Sequence, residues 1–524
     1  MKLARKAIVP AVCHIINLSI TTNRFLTKWK VAKVVPLYKG KGSKLDPKNY
    51  RPVAILPILS KVLERAMFKQ LVTYMDMHSF FNPNHHAYRS FHSTTTAMLQ
   101  MYTTWLDALE KGDIAGVCMI DMSAAFDVVD TKLLLQKLEL YGLDRNALQW
   151  VWSYLTYRSQ AVYIEGSLSS FLPLEAGVPQ GSILGPIFFT IFTNELPEVV
   201  HDEDCPLRMV EGRALFNTQC LECGGVCCYA DDSTYTAQGR DPEVLSRKLS
   251  DKFNTIADFL TSNKLKVNDD KTHLLVMLTR QKRRHRDTSQ VTITTPTAII
   301  SPSKVEMLLG AHVHQDMHWK EHLIENENSL IKSLNKRLGA MKKISSNASF
   351  KTRKMIANGL YISKLIYLMP VWMGCEDYLS MALQVNMNKV ARWVTKLDIY
   401  TPTSVLMQQC GWMPVRHLMA YHSLVLLHKT LKYQKPHYLL KKVTSGTEQY
   451  NTRQSAGYRA ALVEAGVMEH TAVEKCQLGL SSSSWAWSSV RWYNRLPPAI
   501  RAAKSLNNFK TRLKNWVAEN VPTS

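Results

Sequence analysis

Two aspartates stand side by side in "VCCYADDSTYTA" (226–237), between residues that favour strands, and a third, Asp121, ends the separate apolar run "AGVCMID". Adjacent carboxylates repel each other and lose hydration when covered, so a chain that keeps Asp231 beside Asp232 implies a compensating positive charge. If the two runs are neighbours in one sheet, three carboxylates converge at its edge. Hard oxygen donors on a partly open site suit Mg²⁺, which retains waters and takes substrate phosphates as further ligands. Two such ions, about 3.5–4 Å apart, activate an attacking hydroxyl and stabilise the leaving oxygen of an in-line phosphoryl transfer. The competing reading is an ordinary surface turn, where Asp is common.

Turn and periodicity signals define the elements that must hold these groups. "KVAKVVPLYK" and "YRPVAIL" read as two strands joined by the polar "GKGSKLDPKN", and a helix runs from Ser60 to about Asp76. The buried strand "AGVCMIDM" (115–122) is followed by a helix that Asp130 caps and Gly142 closes. Residues 177–196 form a Gly/Pro turn opening an apolar helix. The aspartate hairpin comes next, then a helix near 241–262 and the strand "HLLVML". From about residue 320, Leu323, Leu330, Leu334, Leu338 and Met341 recur at helical spacing, and the chain ends in the amphipathic "SLNNFKTRLKNWVAENV". The class is α+β.

Among 524 residues, 65 Lys+Arg stand against 42 Asp+Glu, a net charge of +23 that points to a polyanionic partner. Nucleic acid fits better than a membrane face, because the cations are spread along the chain. Lys2, Arg5 and Lys6 precede an apolar stretch, but Pro10 and His14 interrupt it and no small-x-small cleavage site follows, so it is not read as a secretory signal. No other apolar run reaches spanning length, and the expected setting is intracellular, in nucleus and cytoplasm. Of ten cysteines, five lie between Cys205 and Cys228, which is no disulfide framework. Cys220, Cys223, Cys227 and Cys228 include one C-x-x-C pair; the open readings are a structural zinc site and buried or free thiols. The run "RQKRRHR" (280–286) reads as a solvated loop, a nucleic-acid contact or a nuclear localisation signal.

Order and spacing add a resemblance. "KVVPLYKGKGSKLDPKNYRPVAILPILSKVLERAM", "HHAYRSFHSTTTA", "VCMIDMSAAFDVVD", "AGVPQGSILGPIFFTIFTNEL", "CCYADDSTYTA", "NKLKVNDDKTHLLVM" and "LLGAHVHQDMHWKEHL" resemble, in that family's order, the reverse transcriptases of non-LTR (LINE-like, jockey-type) retrotransposons. The resemblance covers roughly the first three fifths of the chain. It implies a right-hand polymerase: an N-terminal helical segment (1–28), fingers and palm (29–318), a helical thumb (319–400) and a basic helical C-terminal region (401–524). The implied reaction is RNA-directed DNA synthesis, with an RNA template, a DNA primer and dNTPs as partners and two Mg²⁺ ions as cofactors. Asp121, Asp231 and Asp232 would be the metal ligands, assisted by the Met122 carbonyl, and Lys271 the general acid for departing pyrophosphate. Lys39 and Arg51 would grip the triphosphate, Phe126 would lie under the sugar where a 2′-OH does not fit, and Gln180 and Gly181 would border the nucleotide. Arg89 and Ser93 would contact template phosphate, with a helix cap as the second reading of Ser93, and Gly310 would belong to a hairpin holding the primer 3′ end. Endonuclease and RNase H patterns are missing, so the resemblance implies a truncated copy whose nicking activity comes from elsewhere. Its rivals are an inactive nucleic-acid-binding remnant and an RNA-dependent RNA polymerase.

Overall fold

The computed structural model describes residues 5–40, 42–200, 225–344, 348–444 and 484–522. After helix α1 (Arg5–Thr21), β1 (Val31–Tyr38) and β2 (Tyr50–Ile55) form an antiparallel hairpin, in register from Lys33 opposite Ile55 to Tyr38 opposite Tyr50. Its polar connection closes on its own groups: Asp46 accepts the Lys48 N–H and the Asn49 amide donates to the Ser43 carbonyl. Helices α2 (Ile58–Met77) and α3 (Thr94–Glu110) follow, then β3 (Ile114–Ile120), α4 (Thr131–Leu140), α5 (Arg145–Leu155) and β4 (Arg158–Ile164). β4 returns to lie parallel to β1, Ser159 opposite Val31, and pairs with β5 (Ser167–Leu168) and β6 (Leu172–Leu174). The Asp130 carboxylate accepts the Leu133 N–H at the start of α4, the cap read from the sequence.

The second sheet carries the acidic residues. Helix α6 (Leu184–Phe192) precedes β7 (Cys227–Tyr229) and β8 (Asp232–Gly239); then come α7 (Pro242–Ser262), β9 (His273–Met277), the short helix α8 (Arg280–Arg283), the pair β10 (Ile293–Thr294) and β11 (Ile299–Ile300), and β12 (Pro302–Ser303). The strand order is β12-β9-β3-β8-β7, with β3 at the centre. "IAGVCMI" is apolar on every residue because both faces are covered: Ala115 and Val117 enter one core, Ile114, Cys118 and Ile120 the other. On α7, Leu245, Leu249, Phe253, Ile256 and Leu260 repeat at three- and four-residue steps and are all buried, each contributing ~1.5–3 kcal/mol. Helix α6 starts at Leu184. Pro179 and the left-handed Gly181 (φ 103°) keep the preceding segment out of a helix.

A hairpin, β13 (Val305–Leu308) and β14 (Ala311–His314), leads into helices α9 (Leu330–Ile344), α10 (Phe350–Ala357), α11 (Ser363–Leu365), α12 (Asp377–Thr395), α13 (Thr403–Cys410), α14 (Val415–Tyr433) and α15 (His437–Thr444). The chain closes with Trp485–Asn494 and a C-terminal helix, Leu506–Asn520. Leu323, Leu330, Leu334, Leu338 and Met341 are buried, as their spacing implied, in a core shared with α3. Helix α15 docks on the α3 side of the sheet: the Tyr438 hydroxyl lies 3.2 Å from His86 Nδ1, and Lys442 Nζ donates to Asp107 at 2.7 Å. Among the described residues no helix is long and apolar enough to cross a membrane.

Candidate active site

β3 and β8 run antiparallel, their last pair being Ile120 opposite Ser233, so Asp121, the next residue, arrives beside Asp232. β7 and β8 are joined across Tyr229 and Asp232, which leaves Ala230 and Asp231 as a two-residue turn with Asp231 at its tip. Ala230 takes φ 57°, a left-handed conformation costing a non-glycine residue about 1–2 kcal/mol. Buried strands on both sides hold it there. Burial, followed by the charge of Asp121, raises the Asp231 pKa, while Arg51 pulls it back. Asp232 is pushed up to about 6 by burial and by the charges of Asp231 and Asp121. Both side chains still reach solvent. Three mutually repelling, solvent-accessible carboxylates on one sheet edge fit a hard divalent cation, and an isolated surface turn does not account for their convergence.

The segment after α7 is locked onto β3. Asn268 N–H donates to the Asp121 carbonyl at 2.9 Å, Ser123 N–H donates to the Lys266 carbonyl at 2.9 Å, and Met122 forms a bridge with Val267. This brings Lys271 Nζ to 3.4 Å from the Asp121 carboxylate, in an exposed pair. Asn268, whose Nδ2 lies 3.5 Å from the same carboxylate, was not singled out from the sequence; its place in "NDDK", beside Lys271, was the available signal.

Phe126 lies in the loop leaving β3, half-buried, its ring centroid 4.6 Å from Phe189 of α6. Gln180 Nε2 donates to Asp127 at 2.9 Å, and the Gln180 carbonyl accepts the Ala54 N–H of β2 at 2.8 Å. A Cβ on Gly181 would sit 2.7 Å from the Ala54 carbonyl oxygen, so glycine is required there by the protein's own strand. Sequence reasoning missed the group that holds this junction from below. Glu64, fully buried on α2, accepts the Ile183 N–H at 2.7 Å, the Tyr154 hydroxyl at 3.3 Å and the Ser60 hydroxyl at 3.2 Å. Ser60 and Glu64, four apart on one helix face, were a weak signal for it.

Arg51 stands opposite Leu37 in the first hairpin and is the cation whose charge is felt at Asp231. Lys39 continues the same ladder through its N–H to the Asn49 carbonyl, and its ammonium donates to the Lys48 carbonyl at 2.7 Å. At the Leu309–Gly310 turn both residues have positive φ, and Tyr367 donates its hydroxyl to the Leu309 carbonyl at 2.7 Å, clamping the β13–β14 hairpin from the helical side.

Two expectations, on Arg89 and on the cysteines, are corrected, and of the two readings of Ser93 the helix cap is the one seen. Arg89 does not present its guanidinium to a template. It turns inward onto the carbonyls of Asn82 and His85 and over the Phe81 ring, and burial lowers its pKa to about 10. Ser93 is the N-cap of α3, in a reciprocal capping box with Thr96. The four-cysteine zinc site fails on the strand's alternation. Cys227 and Cys228 are buried on opposite faces of the sheet, in different cores, with thiol pKa values raised by burial; Cys220 and Cys223 lie outside the described residues.

In the basic run, Arg283 serves the fold, its guanidinium reaching Asp316 and the carbonyls of Val276, Leu278 and Gln315. His314, Asp316 and His318 also cluster within metal-ligating range. Arg283 and Arg280 already neutralise the Asp316 carboxylate, and His314 Nδ1 accepts the Asp316 N–H at 3.0 Å, so the group closes a turn.

Residues 39–312 match the family described as reverse transcriptase (RNA-dependent DNA polymerase). The chain is 26% identical over 340 residues to the RNA-directed DNA polymerase from mobile element jockey of Drosophila funebris, covering 64% of this chain and 35% of that protein. It is 29% identical over 267 residues to the probable RNA-directed DNA polymerase from transposon BS of Drosophila melanogaster, covering 49% and 27%. With the X-element protein of the same fly it shares 22% over 441 residues, covering 82% and 45%. The chain thus spans less than half the length of these relatives. Among solved structures, telomerase from Candida tropicalis with a fragment of telomeric RNA aligns at a TM-score of 0.40 and 10% identity, over 94% of this chain and 65% of that one. With the family pattern covering Asp121, Asp231 and Asp232 and the elements that gather them, the chain belongs to the reverse transcriptase family.

Proposed function

We propose that the chain is an RNA-directed DNA polymerase of a non-LTR retrotransposon, adding dNMP to a primer 3′-OH on an RNA template. The convergence of Asp121, Asp231 and Asp232 on one sheet edge carries this reading. Reverse transcriptases generally use divalent metal ions; here we assign two Mg²⁺, held by the three carboxylates and the Met122 carbonyl. When bound, such ions neutralise charge on the triphosphate and polarise the primer hydroxyl. Arg51, with Lys39 farther along the same hairpin, orients the triphosphate. Phe126, braced by Phe189, packs beneath the sugar and excludes a 2′-OH. Gln180, anchored on Asp127, borders the nucleotide. The primer 3′-OH gives its proton to solvent as its oxygen bonds the α-phosphorus, the bond to pyrophosphate breaks, and the Lys271 ammonium gives the departing group a proton that solvent then restores. The Leu309–Gly310 turn supports the primer end. In this reading residues 29–318 are fingers and palm, 319–400 thumb, and 401–524 a C-terminal region.

Primer extension on poly(rA)/oligo(dT) with Mg²⁺ tests the proposal. Synthesis by the wild type that Asp231→Ala abolishes supports it. RNA binding without product would identify an inactive remnant, and rNTP use equal to dNTP use would identify an RNA polymerase.

A further inference from the structure

Two exposed aromatic rings meet where the loop before α3 approaches the end of α14. Phe91 and Tyr433 have ring centroids 4.7 Å apart, tilted by 36°, and remain 42% and 40% exposed. Phe91 has φ 66°, a conformation that a bulky side chain rarely adopts, so the loop holds strain while presenting this ring at the surface.

Cations lie near these rings. Lys429 lies one helical turn before Tyr433, and the exposed Lys435 follows that tyrosine by two residues, its charge felt at His92 beside Phe91; the Lys432 ammonium is taken up by the Ala503 and Lys504 carbonyls. The C-terminal helix adds Lys510. His428 of α14 stacks on Phe509 with centroids 3.6 Å apart and planes within 5°, which brings their chain neighbours Lys429 and Lys510 together. Burial and the Lys510 charge lower the Lys429 pKa, and among the described residues no carboxylate pairs with either lysine. A half-buried, uncompensated pair of ammonium groups is costly unless an anion completes it.

We infer that this face binds single-stranded nucleic acid, with Phe91 and Tyr433 as a platform for unpaired bases and Lys429, Lys435 and Lys510 as phosphate contacts. Exposed rings beside a row of cations suit single strands, whose bases offer free π-faces; a duplex keeps its bases stacked inside. The inference rests on the polymerase reading above and extends it to a strand path that the C-terminal helices share with the loop before α3.

Fluorescence anisotropy with an unstructured RNA 30-mer and with a blunt primer–template duplex tests it, using the full chain. Phe91→Ala/Tyr433→Ala should weaken single-strand binding by roughly tenfold or more, with Phe91→Tyr/Tyr433→Phe restoring it. Lys429→Ala/Lys510→Ala should reduce the slope of log affinity against log salt by about 1.4, two single-strand phosphate contacts. Duplex affinity should hold in both. Wild-type binding and primer extension with unchanged single-strand affinity and slope in both double variants would overturn the surface alone. Equal weakening toward the duplex would overturn the single-strand assignment. A wild type that binds no RNA and extends no primer would overturn the surface together with the polymerase reading.

Discussion

At the residue scale, Asp232 holds its proton more tightly in the fold than in the unfolded chain, because burial, Asp231 and Asp121 raise its pKa from 3.8 to about 6. The stability this lends the metal-free protein is intact below the unfolded value and is lost as pH rises through about 6. Asp232→Asn should therefore raise the melting temperature of the metal-free protein above pH 6, with the gain vanishing toward pH 4, in thermal melts run with a chelator. Asp231→Asn should relieve repulsion in the same way and yet stop synthesis. Losing several kcal/mol of charge stabilisation corresponds to roughly a thousandfold in rate, readable by single-nucleotide extension. Phe126→Val keeps an apolar side chain but shortens the ring that Phe189 braces. Its expected effect is rNTP incorporation raised by roughly tenfold or more relative to dNTP; unchanged discrimination would remove Phe126 from the sugar site.

At the scale of elements, the junction of β2, α6 and the loop after β3 is held by backbone contacts with little slack. Gly181→Ala would drive a methyl against the Ala54 carbonyl at a left-handed position, and the conformation alone costs about 1–2 kcal/mol. Glu64→Ala would leave the Ile183 N–H and the Tyr154 hydroxyl without their acceptor, at roughly 1–3 kcal/mol for each buried group, whereas Glu64→Gln keeps an acceptor and should lose less. Urea denaturation of the three variants checks the order. These elements differ in how openly the sequence announces them. The aspartate hairpin, the α4 cap and the Leu stripe of the later helices follow from short-range patterns, so period and spacing sufficed. β4 was invisible because its identity lies in a parallel pairing with β1 more than a hundred residues away. Arg89 misled for a related reason: an arginine in a polar loop looks free until the loop closes and its own carbonyls claim it. Glu64 hid as one charge on an amphipathic helix, and only the fold shows that its side faces inward.

For the whole molecule, charge and burial set the response to acid. His85 is buried with a pKa lowered to about 4, and His322 is buried with one lowered to about 3. Groups depressed in this way favour the fold above the unfolded value of 6.5 and lose that contribution as pH falls toward 4. Stability measured by urea titration should drop between pH 7 and pH 5, and His85→Asn should flatten that drop; a flat wild-type profile would show that these histidines take up protons alike in the folded and unfolded chain. The positive excess that composition made plain belongs to this scale too, but where its cations gather depended on helix packing that no local pattern encodes.

The docking of α15 on α3 also bears on how the protein can be dissected. Tyr438 and Lys442 sit more than a hundred residues beyond the family-matched segment, yet they cover a helix that packs directly on the sheet bearing the aspartates. A recombinant fragment trimmed to residues 39–312 would emerge with that flank bare, and insolubility of such a fragment would say nothing about whether its catalytic groups are intact.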